Sequence, residues 1–182
     1  MTSELRSLRD HPFELLQRME SRLQAARLDI VAGQAQGWAG MGFRLGHTWL
    51  AAPRDDVREI IVLPPLTRIP NARPWLRGVA NVRGALLGVI DLTQFLGGEA
   101  AAVTRTQRLL VYNSDRYPVG FLVDEIAGHR QFVASEQRAE LPQGSEAFLP
   151  YLLGAFVRDG QPWLAFSLHK LAMADSFGHA GL

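Results

Sequence analysis

Two stretches of the chain superimpose at an offset of 76 residues with no gap. Trp75-Leu76-x-Gly78 falls on Tyr151-Leu152-x-Gly154, Gly84 on Gly160, Ile90 on Phe166, Leu92 on Leu168 and Phe95 on Leu171. A spacing held over this many positions marks a duplicated supersecondary unit. Each copy reads as a hairpin of apolar and β-branched residues. Trp75 to Val82 and Ala85 to Ile90 flank Arg83-Gly84, while Tyr151 to Arg158 and Trp163 to Ser167 flank Asp159-Gly160. A helical segment follows each hairpin: Leu92 to Leu96, closed by Gly97-Gly98, and Leu168 to Ala174.

Further hairpins precede each copy, and these align only loosely with one another. Gly42 to Leu45 and Thr48 to Ala51 flank Gly46-His47, and Val57 to Leu63 ends at Pro64-Pro65. In the second half Arg108 to Tyr112 and Val119 to Val123 flank Ser114-Asp115-Arg116. Short strands divided by turns favour barrels or sandwiches. Each half has too few strands to bury both of its faces alone, so two halves are expected to share a core and leave a groove between them. The fold is therefore expected to be mainly β over about 38–177. One barrel falls at about 41–98 and a second at about 105–167, with a terminal helix over 168–177.

Residues 1–37 read differently. Asp10 is placed as an N-cap with Pro12 in the first turn, and Leu16, Met19, Leu23, Ala26 and Ile30 form one helical stripe. Gly33, Gly37, Gly40 and Gly42 then break the helix and lead into the first strand. The stripe suits packing on the protein's own body or on a partner helix.

Composition and motifs narrow the function. The 19 basic and 18 acidic residues nearly cancel, to a net +1, which gives no electrostatic basis for nucleic acid as a partner. No apolar run approaches the ~20 residues of a membrane helix, and no signal core follows Met1, so no membrane insertion and a cytoplasmic location are expected. There are no cysteines, and no two of the five histidines stand four apart, so neither metal nor cofactor is expected. The single lysine, Lys170, lies outside any phosphate-loop motif. Asp124-Glu125 is a poor acid–base pair, because neighbours on a strand point to opposite faces. Asp91 precedes a helical turn and is better suited to cap Thr93-Gln94 than to act as a general base. The expectation is a binding module and not an enzyme.

The densest pattern runs from Thr67 to Leu92. Pro70 and Pro74 hold an extended loop, and Asn81-x-Arg83-Gly84 supplies a tight turn carrying one cation beside an apolar hairpin. The Arg83 fork suits two tasks equally, stapling the hairpin or facing a partner.

This stretch resembles the signature of the CheW-like family, whose members read roughly G-V-x-N-L-R-G, then apolar residues around a proline, then D-L. Val57-Arg58-Glu59-Ile60 resembles the family's V-x-E-I, and Val119-Gly120-Phe121-Leu122-Val123-Asp124-Glu125-Ile126 resembles its V-G-apolar-apolar-V-D-x-V. The resemblance covers about Met41 to Ala174, in the family's order. It implies two SH3-like five-stranded barrels around a shared apolar core. It also implies a scaffold between the cytoplasmic tip of a chemoreceptor and the regulatory domain of a CheA-type histidine kinase, recruited to membrane-bound receptor arrays. Motif matching carries over Val57, Gly78, Asn81 and Arg83 as partner contacts. The resemblance further implies that the receptor contacts the groove between the barrels, with Asp124, Glu125 and Ile126 as its opposite wall.

Two departures accompany the resemblance. Gly88 stands where the family usually has proline, and the N-terminal helix is an extension that many flagellar members lack. That extension, with Gly37-Trp38-x-Gly40-Met41-Gly42-Phe43, resembles the PilI type, which serves type IV pilus twitching motility. The competing readings are a flagellar coupling protein, a small-ligand or single-strand nucleic-acid barrel in which Trp75 stacks beside Arg73 and Arg77, and an enzyme using Asp91 or Asp124.

Overall fold

The computed structural model describes residues 37–100 and 104–174. The helix expected over about 10–30 lies outside the described residues, as do residues 175–177 of the expected terminal helix, which among the described residues ends at Ala172.

Eleven strands are described: β1 (Trp38–Leu45), β2 (Thr48–Pro53), β3 (Val57–Ile61), β4 (Leu76–Val82), β5 (Ala85–Asp91), β6 (Arg108–Tyr112), β7 (Val119–Val123), β8 (Glu125–Phe132), β9 (Gln137–Arg138), β10 (Leu152–Arg158) and β11 (Gln161–Phe166). Two short helices, α1 (Leu92–Phe95) and α2 (Leu168–Ala172), follow β5 and β11. The strands form a six-stranded sheet in the order β8-β1-β2-β11-β10-β9 and a five-stranded sheet in the order β3-β6-β7-β5-β4. The sixth strand of the larger sheet, β9, is two residues long.

The repeat is structural. β4 and β10 start and end at the 76-residue offset, and both carry a register shift at their second residue, between Leu76 and Gly78 and between Leu152 and Gly154. β5 pairs in parallel with β7, as β11 does with β2. Side-chain caps open both helices: Asp91 accepts from the Gln94 N–H at 3.1 Å, as the sequence leads one to expect, and Ser167 from the Lys170 N–H at 3.1 Å.

The strands do not divide between the sheets as consecutive halves. The expected barrels over 41–98 and 105–167 are corrected by an exchange of hairpins: β1 and β2 join β8, β10 and β11, whereas β6 and β7 join β3, β4 and β5. The cause is visible between β7 and β8. Only Asp124 separates them, and one residue cannot reverse a strand as a two-residue hairpin loop does. The chain therefore runs on from one sheet into the other.

Three apolar clusters result. One, around Ala80, Val82, Leu87, Val89, Leu109 and Val111, fills the five-stranded barrel. Trp38, Phe132, Phe156 and Trp163 fill the six-stranded one, with Phe132 and Phe156 stacked at 4.6 Å. The largest draws on both sheets, with Phe43, Leu50 and Phe166 from one and Ile90, Leu110 and Phe121 from the other. Strand alternation produces this sharing: in β1 and β2, Phe43, Leu50 and Ala52 face the common core while Trp38 and Ala51 face the barrel interior. Gly88, the departure from the family proline, donates its N–H to the Pro118 carbonyl at 2.9 Å, a bond that proline lacks.

Candidate functional site

The β4–β5 turn is a two-residue loop, Arg83-Gly84, with Val82 opposite Ala85. Both loop residues have positive φ, 52° at Arg83 and 86° at Gly84, the pattern of a type I′ turn. Glycine meets that demand freely, whereas an arginine there costs about 1–2 kcal/mol. The Asn81 carboxamide oxygen accepts from the Gly84 N–H at 2.9 Å and holds the turn. The stapling role assigned to Arg83 as one alternative thus falls to Asn81. Arg83 instead reaches Glu59 on β3, at 2.9 Å. Its side chain remains 81% exposed, which leaves most of its donors facing water. Leu86, directly across the hairpin from Asn81, is 63% exposed beside it.

Gly78 serves the backbone. Thr67 and Val79 exchange two hydrogen bonds of 2.9 and 2.8 Å, which lays the preceding loop against β4. A Cβ at Gly78 would stand 2.4 Å from the Thr67 carbonyl oxygen, and its φ is 142°. Next to it Arg77 meets the Asp91 carboxylate at 3.2 Å, so that both Asp91 oxygens are engaged. Val57, the first residue of β3, lies opposite Tyr112, half-buried against the shared core.

Asp124 and Glu125 clamp the β1–β2 turn. Asp124 accepts from the Gly46 N–H at 2.7 Å, and Glu125 from Arg44 Nε and Nη2 at 3.1 and 2.9 Å. Arg44 also donates to the Gly46 carbonyl at 2.6 Å and lies over the Trp49 ring. Ile126 pairs with Phe43 and packs, like Val57, against the shared core.

The structure therefore groups Asn81 and Arg83, with Glu59 and Leu86, at one end of the five-stranded barrel. Asp124 connects the two sheets, Glu125 and Ile126 begin β8 of the six-stranded sheet, and the shared core lies between the sheets, bordered by Val57 and Ile126. Glu59 was within reach of sequence reasoning, as the acidic position of V-x-E-I, and Leu86 as the outward residue of an alternating strand. Arg44 was not, because its partners lie about eighty positions away.

Elsewhere, Asp56 accepts from the His169 N–H at 3.2 Å and the Ser167 hydroxyl at 3.4 Å. Burial nevertheless pushes its carboxyl above the usual aspartate range. Burial also raises the Tyr112 phenol, whose oxygen lies 2.7 Å from His169 Nδ1. Glu136 is held below the usual range by hydrogen bonds from Arg158. Among the described residues no group of three or more histidine, aspartate or glutamate side chains is placed to hold a metal ion, and no helix is long and apolar enough to cross a membrane.

Comparison with known proteins places this arrangement. The CheW-like domain family model matches residues 39–175. Protein PilI of Pseudomonas aeruginosa is 38% identical over 91% of this chain and 94% of its own length. Protein FrzA of Myxococcus xanthus is 34% identical over 65% of this chain and 73% of its own. The crystal structure of the scaffolding protein TtCheW from Thermoanaerobacter tengcongensis matches with a TM-score of 0.67 at 20% identity, covering 81% of this chain and 99% of that one. This chain belongs to the CheW-like domain family, the family of the chemosensory adaptors.

Proposed function

We propose that the protein bridges the cytoplasmic tip of a chemoreceptor to the regulatory domain of a CheA-type histidine kinase, and that its pathway governs type IV pilus twitching motility. It acts in the cytoplasm, at receptor arrays that others anchor in the membrane, and performs no chemistry of its own. The observation that carries the reading is the extent of the similarity to PilI. At 91% of the chain it exceeds the family region and takes in part of the N-terminal extension. The chemotaxis protein CheW of Thermotoga maritima, by contrast, aligns over 72% of this chain.

Coupling needs two faces whose occupancies are linked. We assign receptor contact to Val57, Asn81, Arg83 and Ile126, an arginine with half-buried apolar side chains and the exposed Leu86 beside it, residue types that can anchor a protein interface. Gly78, Asp124 and Glu125 support that surface from behind, because their polar or steric capacity is already used within the chain. The kinase contacts the end of one barrel.

Calorimetric titration of the purified protein with the regulatory domain of the CheA-like kinase from the same genome tests the reading. Micromolar or tighter binding that survives Arg83→Ala supports it and separates the kinase face from the receptor face. Absence of heat and of co-elution, with a protein shown to be folded, overturns it.

A further inference from the structure

No carboxylate occurs between Glu59 and Asp91, whereas four arginines do: Arg68, Arg73, Arg77 and Arg83. The two acids that bound this stretch each take one arginine, Glu59 pairing with Arg83 and Asp91 with Arg77. Arg68 and Arg73, both exposed, have no carboxylate partner among the described residues. In a chain of net charge +1 this is a local excess of cation.

The two arginines stand at one cleft of about 310 Å³, lined also by Ile69, Pro74, Arg77 and Gln94, with no acidic residue in its wall. Its loop is held in shape before any partner arrives. The Ala72 N–H donates to the Ile69 carbonyl at 3.4 Å, the Leu76 N–H to the Arg73 carbonyl at 2.9 Å, and Thr67 is paired to Val79. Ile69 is 41% exposed between the cations. A preformed loop lowers the ordering cost of binding, and a planar guanidinium pairs with a carboxylate in two parallel hydrogen bonds.

We propose that this cleft docks an acidic protein segment, one whose carboxylates flank an apolar side chain: the carboxylates meet Arg68 and Arg73 and the apolar group covers Ile69. Two uncompensated cations are too few for nucleic acid, whose binders typically make about six to ten phosphate contacts. The cleft is separate from the Arg83 surface, and the proposal does not rest on the coupling reading.

The test uses the full chain, fluorescence anisotropy and two labelled hexapeptides, ELEELE and its uncharged counterpart QLQQLQ, in low salt. ELEELE is expected to bind saturably and QLQQLQ not to bind. The double variant Arg68→Gln/Arg73→Gln is expected to weaken ELEELE at least about tenfold, the loss of roughly 1.4 kcal/mol. Arg138→Gln, which removes an exposed arginine of the other sheet, is expected to change nothing. Both variant sites are exposed, and unchanged melting confirms that the fold is intact. Equal weakening by Arg138→Gln, or no effect of the double variant, overturns the proposal as non-specific attraction. Displacement of ELEELE by millimolar inorganic phosphate also overturns it, in favour of a small-anion site. Retention of the kinase titration by the double variant keeps the two readings separate.

Discussion

The Arg83 guanidinium meets the Glu59 carboxylate at 2.9 Å, although β4 and β3 are the outermost strands of their sheet. The contact shows that the five-stranded sheet curls until its edges approach. The other sheet does the same: Arg158 of β10 donates to the Gln131 carbonyl of β8 and to Glu136 just beyond it. An 81%-exposed arginine gains little from such a pair, under about 1 kcal/mol. It sits at a φ of 52°, a conformation that itself costs energy. Asp159, at the same place in the second copy, has a φ of 51°, so the loop geometry sets this conformation in both hairpins.

Arg83→Asn separates the two demands. Asparagine accepts positive φ, and Asn-Gly is the preferred pair for a type I′ loop. The variant is expected to keep or raise stability by up to about 1 kcal/mol in urea unfolding. Its affinity for a receptor cytoplasmic fragment is expected to fall about tenfold. A variant that is clearly less stable and binds normally would make Arg83 a structural residue.

Gly78→Ala behaves in the opposite way. The added methyl meets the Thr67 carbonyl oxygen at 2.4 Å in a strand that both Thr67 bonds hold in place, and the φ of 142° suits glycine. A loss of about 2–3 kcal/mol is expected in urea unfolding. Any loss of partner binding should track the unfolded fraction. Stability within 0.5 kcal/mol, roughly the spread of a neutral surface change, would show that the loop can lift away from β4.

What the sequence reveals here follows the range of the interactions. The hairpins, the Arg83-Gly84 and Asp159-Gly160 loops and the Asp91 cap all depend on residues within a few positions of one another, and each was legible. The 76-residue repeat was legible because both copies keep the bulge, the loop and the helix start. The exchange of hairpins between sheets was not. It depends on Asp124 being the whole connection between β7 and β8, and no local pattern distinguishes that residue from a turn. At the candidate site, the turn motif Asn81-x-Arg83-Gly84 is local and stands out, although the sequence offers Arg83, not Asn81, as its staple. The Asp124 and Glu125 clamp on Gly46 and Arg44 spans the chain and became visible only in three dimensions.

Glu136 and Arg158 predict an acid limb. The Arg158 hydrogen bonds hold the Glu136 carboxyl below its ordinary range. A depressed carboxylate contributes stability that is present above its unfolded pKa and lost as pH falls through the folded value. Wild type and Glu136→Gln are therefore expected to differ by a constant amount above about pH 5, with the gap narrowing as pH falls below the ordinary glutamate value of about 4.3 and on through the lower folded value. Thermal melting from acid to neutral pH checks this, and a gap of the same size at every pH would assign the effect to packing instead.

Asp56 predicts the reverse dependence. It lies in the connection between β2 and β3 and accepts from the His169 N–H and the Ser167 hydroxyl, so it ties α2 to the start of the five-stranded barrel. Burial outweighs these bonds and raises its carboxyl, so the fold disfavours the ionised form. A raised carboxylate contributes stability that is fully present below the ordinary aspartate value of about 3.9 and is lost as pH rises through the folded value. Asp56→Asn keeps one acceptor oxygen and removes the charge. The variant is expected to melt higher than wild type near neutral pH, with the advantage shrinking as pH falls and gone below about pH 4. The Tyr112 phenol and the His169 imidazole face the same site. Asp56→Asn should also be compared in a His169→Gln background, which takes away the imidazole beside the carboxylate. An advantage of the same size at pH 3 and at pH 7 would show that it comes from hydrogen bonding and not from the buried charge.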